Sequence, residues 1–275
     1  MQTYKIEIET INTDYQMISV TLLQSLLWVI TEGSKGALRL CTEGRSTVRG
    51  APPQWVKHAT NFSIAFKDKK LYIQSPTLQE ITPELFQQNN EFPELSSERT
   101  SLDYFQDSLA IAILSSPLSN QKVEASMSNL LYDKALLEIF YGFNKVFQQG
   151  VKSIHFLNGN GIQITPDSIS IFRKLISIVP FPCQIKIVGI LESIRNYDRT
   201  FNLVVNDYLL KGISKNMFSK ETDTMIGKEV LVIGIAYFTS IGKILRIETD
   251  KIMIPEEREK KLWKKLPLLR AETIE

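Results

Sequence analysis

From Gln184 to Ile254 the chain alternates apolar and β-branched residues with polar ones in four blocks. They read Q-I-K-I-V-G-I-L-E-S-I-R, F-N-L-V-V-N-D-Y-L-L-K-G-I-S, G-K-E-V-L-V-I-G-I-A-Y-F and G-K-I-L-R-I-E-T-D-K-I-M-I. A period of two is the mark of strands with one buried face, and turn residues separate the blocks. Gly189 and Gly234 fall inside blocks, where a barrel strand bends or bulges. The pattern predicts a small closed five-stranded β-barrel over 183–254, with a short helix or irregular connection around Ser214 to Thr224. In its first strand Ile185, Ile187 and Leu191 share one face, and Lys186, Val188, Ile190 and Glu192 the other. Phe201, Leu203 and Val205 point inward, which makes Phe201 a core residue.

The first two thirds mix both periods. Thr3 to Glu9 alternates, with Tyr4, Ile6 and Ile8 on one face of an opening strand. Met17 to Leu40 has helical spacing through Ile18, Leu22, Leu26 and Val29, and Gly33 and Gly36 are expected to break it into two helices. Pro52-Pro53 leads into a short helix. F-S-I-A-F and L-Y-I-Q-S flank Lys67-Asp68-Lys69-Lys70 as a hairpin. The polar stretch Gln87 to Ser101 reads as an exposed loop or a subdivision. Helices follow from Ser101, with Leu102, Phe105, Leu109 and Ile113 on one side, and from Asn129 to Gln149. A hairpin turns at Asn158-Gly159-Asn160, and a last helix runs from Pro166 to Ser177. The fold class is therefore α+β. A mixed α/β domain over 1–182 ends at Pro180-Phe181-Pro182, the barrel occupies 183–254, and an amphipathic helical tail fills 255–275.

Composition adds bounds. At 275 residues, 43% hydrophobic and 23% charged, the chain has the make-up of a globular protein with a sizeable core. No apolar run approaches the roughly 18 residues of a membrane span; Val20 to Ile30 is interrupted by Thr21, Gln24 and Ser25. The opening M-Q-T-Y-K-I-E-I-E-T does not read as a secretory leader. Cys41 and Cys183 lie far apart, with no metal-type spacing. These features predict a reduced, cytoplasmic setting without a membrane partner. The net charge is +2, a weak basic excess for a protein that grips a polyanion through its phosphates. Gly33 to His58 is locally basic, with Lys35, Arg39, Arg45, Arg49 and Lys57 against Glu43 and with Trp55 nearby.

Catalytic patterns are sparse. His58 and His155 are the two histidines, and His155 sits in a strand between Ile154 and Phe156 as a sheet residue. Nucleophile-elbow, P-loop and H-E-x-x-H patterns do not occur. The scattered carboxylates have no metal-binding spacing, so no metal, cofactor or catalytic residue is assigned. Binding chemistry is better represented. Arg195, Tyr197 and Arg199 cluster between the first two barrel strands, where guanidinium groups contact phosphate and a ring stacks on a base. Lys211 extends the set, and Tyr237, Lys243 and Arg246 lie on or beside the connection between the last two strands. The order G-I-L-E-S-I-R, F-N-L-V-V-N-D, G-K-E-V-L-V-I-G and G-K-I-L-R-I resembles OB-fold nucleic-acid-binding modules, such as anticodon-binding barrels of aminoacyl-tRNA synthetases. The resemblance covers 184–254 and is generic to the fold. It implies a ligand groove bordered by the loops after the first and fourth strands. In the tail, Leu262 and Leu266 share a helical face with Trp263 on its flank. These three are candidates for docking a partner, while the plainer reading folds Leu262 and Leu266 back on the protein's own core. Two functions stay open: a non-enzymatic protein that binds single-stranded nucleic acid, or an accessory subunit whose barrel and tail dock another polypeptide.

Overall fold

The structure, a computed structural model, describes residues 1–11, 18–47, 51–67, 70–86, 95–114, 132–158, 161–196, 198–239 and 242–265. The chain divides into two units, Met1–Ser177 and Ile178–Glu275.

In the first unit the elements run β1 (Gln2–Thr10), α1 (Val20–Glu43), α2 (Gln54–Ala59), β2 (Ser63–Lys67), β3 (Lys70–Ser75) and α3 (Leu78–Ile81). They continue with α4 (Ser101–Leu114), α5 (Lys134–Tyr141), α6 (Phe143–Phe147), β4 (Val151–Phe156), β5 (Gln163–Ile164) and α7 (Pro166–Ile178). The strands form one antiparallel sheet in the order β2-β3-β1-β4-β5. Tyr4, Ile6 and Ile8 of β1 are buried, as the alternation predicts. A run of rings links the sheet to its helices. Phe156 of β4 lies 5.8 Å from Phe105 of α4, which meets Phe140 of α5 at 5.7 Å, and Phe140 in turn meets Phe172 of α7 at 5.7 Å.

Two expectations are corrected here. Helix α1 is continuous through Gly33 and Gly36. A Cβ on Gly33 would lie 2.5 Å from the Phe105 ring, and one on Gly36 would lie 3.0 Å from Leu136. The glycines therefore let α4 and α5 approach α1 closely, and packing overrides their weak helix propensity. The helix expected from Asn129 divides in two. Its described start is set by Asp133, whose carboxylate accepts from Leu136 N–H at 2.8 Å and from Ser46 N–H at 2.9 Å. At Gly142 the chain tightens, with its N–H donating to Ile139 O, against Trp28 and Val29 of α1. Of the polar stretch read as an exposed loop or a subdivision, residues 87–94 lie outside the described residues, and in 95–101 Ser96 and Glu98 are exposed while both ends are anchored. Leu95 and Thr100 are buried, and Leu78 N–H donates to Arg99 O.

The second unit holds β6 (Cys183–Arg195), β7 (Thr200–Val205), β8 (Tyr208–Ser214), α8 (Lys220–Asp223), β9 (Glu229–Phe238), β10 (Ile244–Met253) and α9 (Glu257–Leu262). The five strands close in the order β10-β8-β7-β6-β9, with β8 and β10 parallel and the other pairs antiparallel. This mixed, closed order is OB-like, and α8 lies in the connection where a short helix or irregular segment is expected. Ile187, Leu191, Phe201, Leu203, Val205, Leu210, Val230, Val232 and Ile247 fill the barrel. Asn206 and Asp207, both at positive φ, make the two-residue turn between β7 and β8. Backbones approach so closely at the bends that a Cβ on Gly189 would lie 2.6 Å from Val204 O, and one on Gly234 2.3 Å from Glu248 O.

Phe201 owes its place to Gly212, where a Cβ would lie 2.0 Å from the ring. Gly212→Ala is expected to cost about 1–3 kcal/mol by overpacking and Phe201→Ala about 3–5 kcal/mol by leaving a cavity. Because the two share one space, the double variant should cost clearly less than the sum in urea denaturation; additive losses would refute the contact.

In the first unit, burial pushes the Tyr104 phenol up to about 12 and raises Tyr4 as well. Groups raised in the folded state contribute stability that is whole below the ordinary value of 10.0 and fades as pH climbs toward about 12. Melting temperature should fall across that window, and Tyr104→Phe should flatten part of the fall. An unchanged slope in that variant would contradict the assignment.

Candidate nucleic-acid interface

Alternation along the strands decides which residues face out of the barrel. Leu210 and Ile247 point inward, so Lys211, Arg246 and Glu248 point outward, and Asn202 does so between the inward Phe201 and Leu203. The ladders then line these residues up. Asn202 of β7 stands opposite Lys211 of β8, Lys211 opposite Arg246 of β10, and Arg246 opposite Tyr237 of β9. A polar row thus crosses four strands on one outer face. Asn202 was not among the residues singled out from sequence, although the alternation F-N-L already places it on the polar side.

The middle of the row is tightly arranged. The Arg246 guanidinium lies 3.8 Å from the centre of the Tyr237 ring and 3.3 Å from Glu248 Oε1. Tyr237 donates its hydroxyl to Glu248 Oε2 at 3.1 Å. A stacked guanidinium held by a carboxylate is a rigid planar surface. Burial, followed by the charge and hydrogen bond of Glu248, raises the Tyr237 phenol above its ordinary value, while Arg246 pulls the other way.

The two loops lie at opposite ends of β8. At the far end, Arg199 has a φ of 59° and donates to Lys215 O at 2.8 Å, and its carbonyl accepts from Ser214 N–H. It is exposed. Arg195, in contrast, is spent on its own turn: it donates to Thr200 Oγ1 at 2.8 Å and pairs with Asp198 at 3.2 Å. Asp198 also accepts from Thr200 N–H and Oγ1, so Arg195 braces the loop that presents Arg199. Tyr197 lies outside the described residues. At the near end, Lys243 reaches the Tyr208 hydroxyl at 3.4 Å, and Tyr208 is 46% exposed. With β8 seven residues long, the two ends are separated by about 20 Å.

Several cations found in sequence are paired within the fold. Arg39 makes a bidentate pair with Glu43 at 3.0 Å, both residues buried, and Arg45 joins the same carboxylate at 3.3 Å. Lys35 pairs with Glu32. Of the five cations in the segment 33–58, Lys35, Arg39 and Arg45 are thus paired within the fold, Lys57 is exposed, and Arg49 lies outside the described residues. On the barrel, Lys215 pairs with Asp250, which raises the lysine's pKa through that hydrogen bond. His155 Nε2 lies 3.0 Å from Ser153 Oγ, which donates to Glu9 at 2.7 Å, as a sheet residue with a partner. Among the described residues no group of three or more His, Cys, Asp or Glu side chains is placed to hold a metal ion, and no helix is long and apolar enough to cross a membrane.

In the tail, Leu262 is 59% and Trp263 38% exposed, so Leu262 does not fold back on the core as the plainer reading held. Leu266 lies outside the described residues. No family model, curated protein or solved structure matches this chain.

Glu248→Gln keeps a hydrogen-bond acceptor near Tyr237 while deleting the charge. The Tyr237 pKa is expected to fall in an ultraviolet phenolate titration compared with the parent chain; an unmoved value would show that Glu248 does not reach it.

Proposed function

We propose that the barrel binds single-stranded nucleic acid along the outer strip that runs from Arg199 past Lys211, Arg246 and Tyr237 to Lys243. The observation that carries this reading is the polar row across β7, β8, β10 and β9 in an OB-like strand order. That order is one whose β7–β8 face and flanking loops suit an extended oligonucleotide. Arg199 and Lys243 meet phosphates at either end. Tyr208 and the Arg246–Tyr237 stack take bases, and Asn202 and Lys211 bond to base edges or phosphate between them. Tyr197, between Arg195 and Arg199 in sequence, is a further stacking candidate. A net charge of only +2 and two stacking surfaces fit a single strand read by stacking better than a duplex gripped by charge.

Fluorescence anisotropy with labelled single-stranded DNA and RNA, titrated with salt, tests this. Arg199→Ala and Lys243→Ala should each lower the salt slope by about 0.7, the loss of one phosphate contact to a single strand. Tyr208→Ala should cost about 1–3 kcal/mol with the slope unchanged. Absence of binding at about 50 mM salt, where phosphate contacts are strong, would overturn the reading.

A further inference from the structure

Strand β6 is paired along its first half through one edge alone. Cys183 to Ile190 lie opposite Ala236 to Glu229 of β9, and β7 joins the other edge from Ile190 onward. The pleat fixes where the intervening backbone groups point. Leu191 faces the β9 side: its N–H donates to Lys228 O and its carbonyl accepts from Gly227 N–H. Odd-numbered positions therefore bond toward β9 and even-numbered ones away from it. Val188 obeys this, donating its N–H to Trp263 O at 2.8 Å. The N–H and C=O groups of Gln184 and Lys186 then point out of the free edge, and among the described residues no strand meets them there.

The described part of the tail, through Lys265, does not cover that edge. It is fastened at Val188, by Asn206 Nδ2 donating to Lys264 O at 3.0 Å, and by the 2.8 Å pair of Lys264 with Glu229. What remains is an open groove of about 500 Å³ lined by Gln184, Ile185, Lys186, Leu262, Trp263 and Lys265.

We propose that this groove takes an extended peptide segment in which apolar and acidic residues alternate, added as a short strand to the free edge of β6. The floor chooses the class of partner. It offers donors and acceptors in turn, which a peptide backbone matches, whereas a phosphodiester strand offers its backbone acceptors to the N–H groups and no backbone donor to the carbonyls. Exposed Leu262 and Trp263 and half-buried Ile185 supply apolar contacts for alternate side chains. Charge sets the rest of the preference. Lys186 and Lys265 line the groove with no carboxylate among the lining residues, and the nearby Glu229 is already held by Lys264. Pro182, which has no N–H, bounds the edge on one side and the Trp263 contact on the other. The added strand is thus about four residues long.

The test titrates the full chain into a fluorescein-labelled peptide of about nine residues that alternates glutamate and valine. Two control peptides differ in one respect each: lysine in place of glutamate, or N-methylated amides at alternate positions. The acidic peptide should bind, both controls should bind at least about tenfold more weakly, and Lys186→Glu and Trp263→Ala should each weaken it about tenfold with the melting temperature unchanged. Equal binding of the N-methylated peptide, or no binding of the acidic one, overturns the proposal. Displacement of the probe by a single-stranded oligonucleotide would assign the groove to nucleic acid instead. Tighter binding by a peptide of residues 266–275 would assign it to the chain's own end.

Discussion

The second unit depends on one strand serving two ladders. Over thirteen residues β6 pairs first with β9 and then with β7. It changes partner where Gly189 lets the backbone come against Val204 and where the register slips between Leu191 and Ser193. Closure follows, because β9 and β7 then leave from opposite edges and meet again through β10 and β8. Parallel pairing of β8 with β10 requires the chain to cross over between them, and α8 and β9 make that crossing. The aligned polar row is a product of the same closure. Asn202, Lys211, Arg246 and Tyr237 are scattered in sequence, and the ladder registers bring them side by side.

Charge is distributed by a different rule. Among the described residues several cations sit in ion pairs, as with Arg39 and Glu43, Arg195 and Asp198, Arg246 and Glu248, and Lys215 and Asp250. Paired groups fix geometry and contribute little long-range field. Ion pairs of this kind hold side chains in position on the barrel. A near-neutral total charge is the natural result of such a design.

Much of this was legible in the sequence where burial alternates. The five barrel strands, the inward Phe201 and the outward Lys211 and Arg246 follow from a period of two. What stayed hidden depends on contacts between distant residues. Gly33 and Gly36 read as breakers because their local propensity is poor, and the nearness of Phe105 and Leu136 that rewards them is a tertiary fact. Asp133 reads as one polar residue in a helical stretch until Ser46 is seen to meet it from far along the chain. Arg195 and Arg199 look equivalent four residues apart, and their division into brace and exposed tip is set by Asp198 and by the positive φ of Arg199. The basic segment 33–58 reads as a surface because nothing in its spacing shows that Glu43 meets both Arg39 and Arg45.

The free edge of β6 also bears on solubility. An unpaired strand is a template for any extended chain, including another copy of the same strand, and proteins that keep such an edge need a guard against stacking on themselves. Here Pro182 ends the edge and Lys186 stands on it, with Lys265 beside it. Two copies joined through this edge would crowd four like charges into one groove, an arrangement that disfavours such pairing.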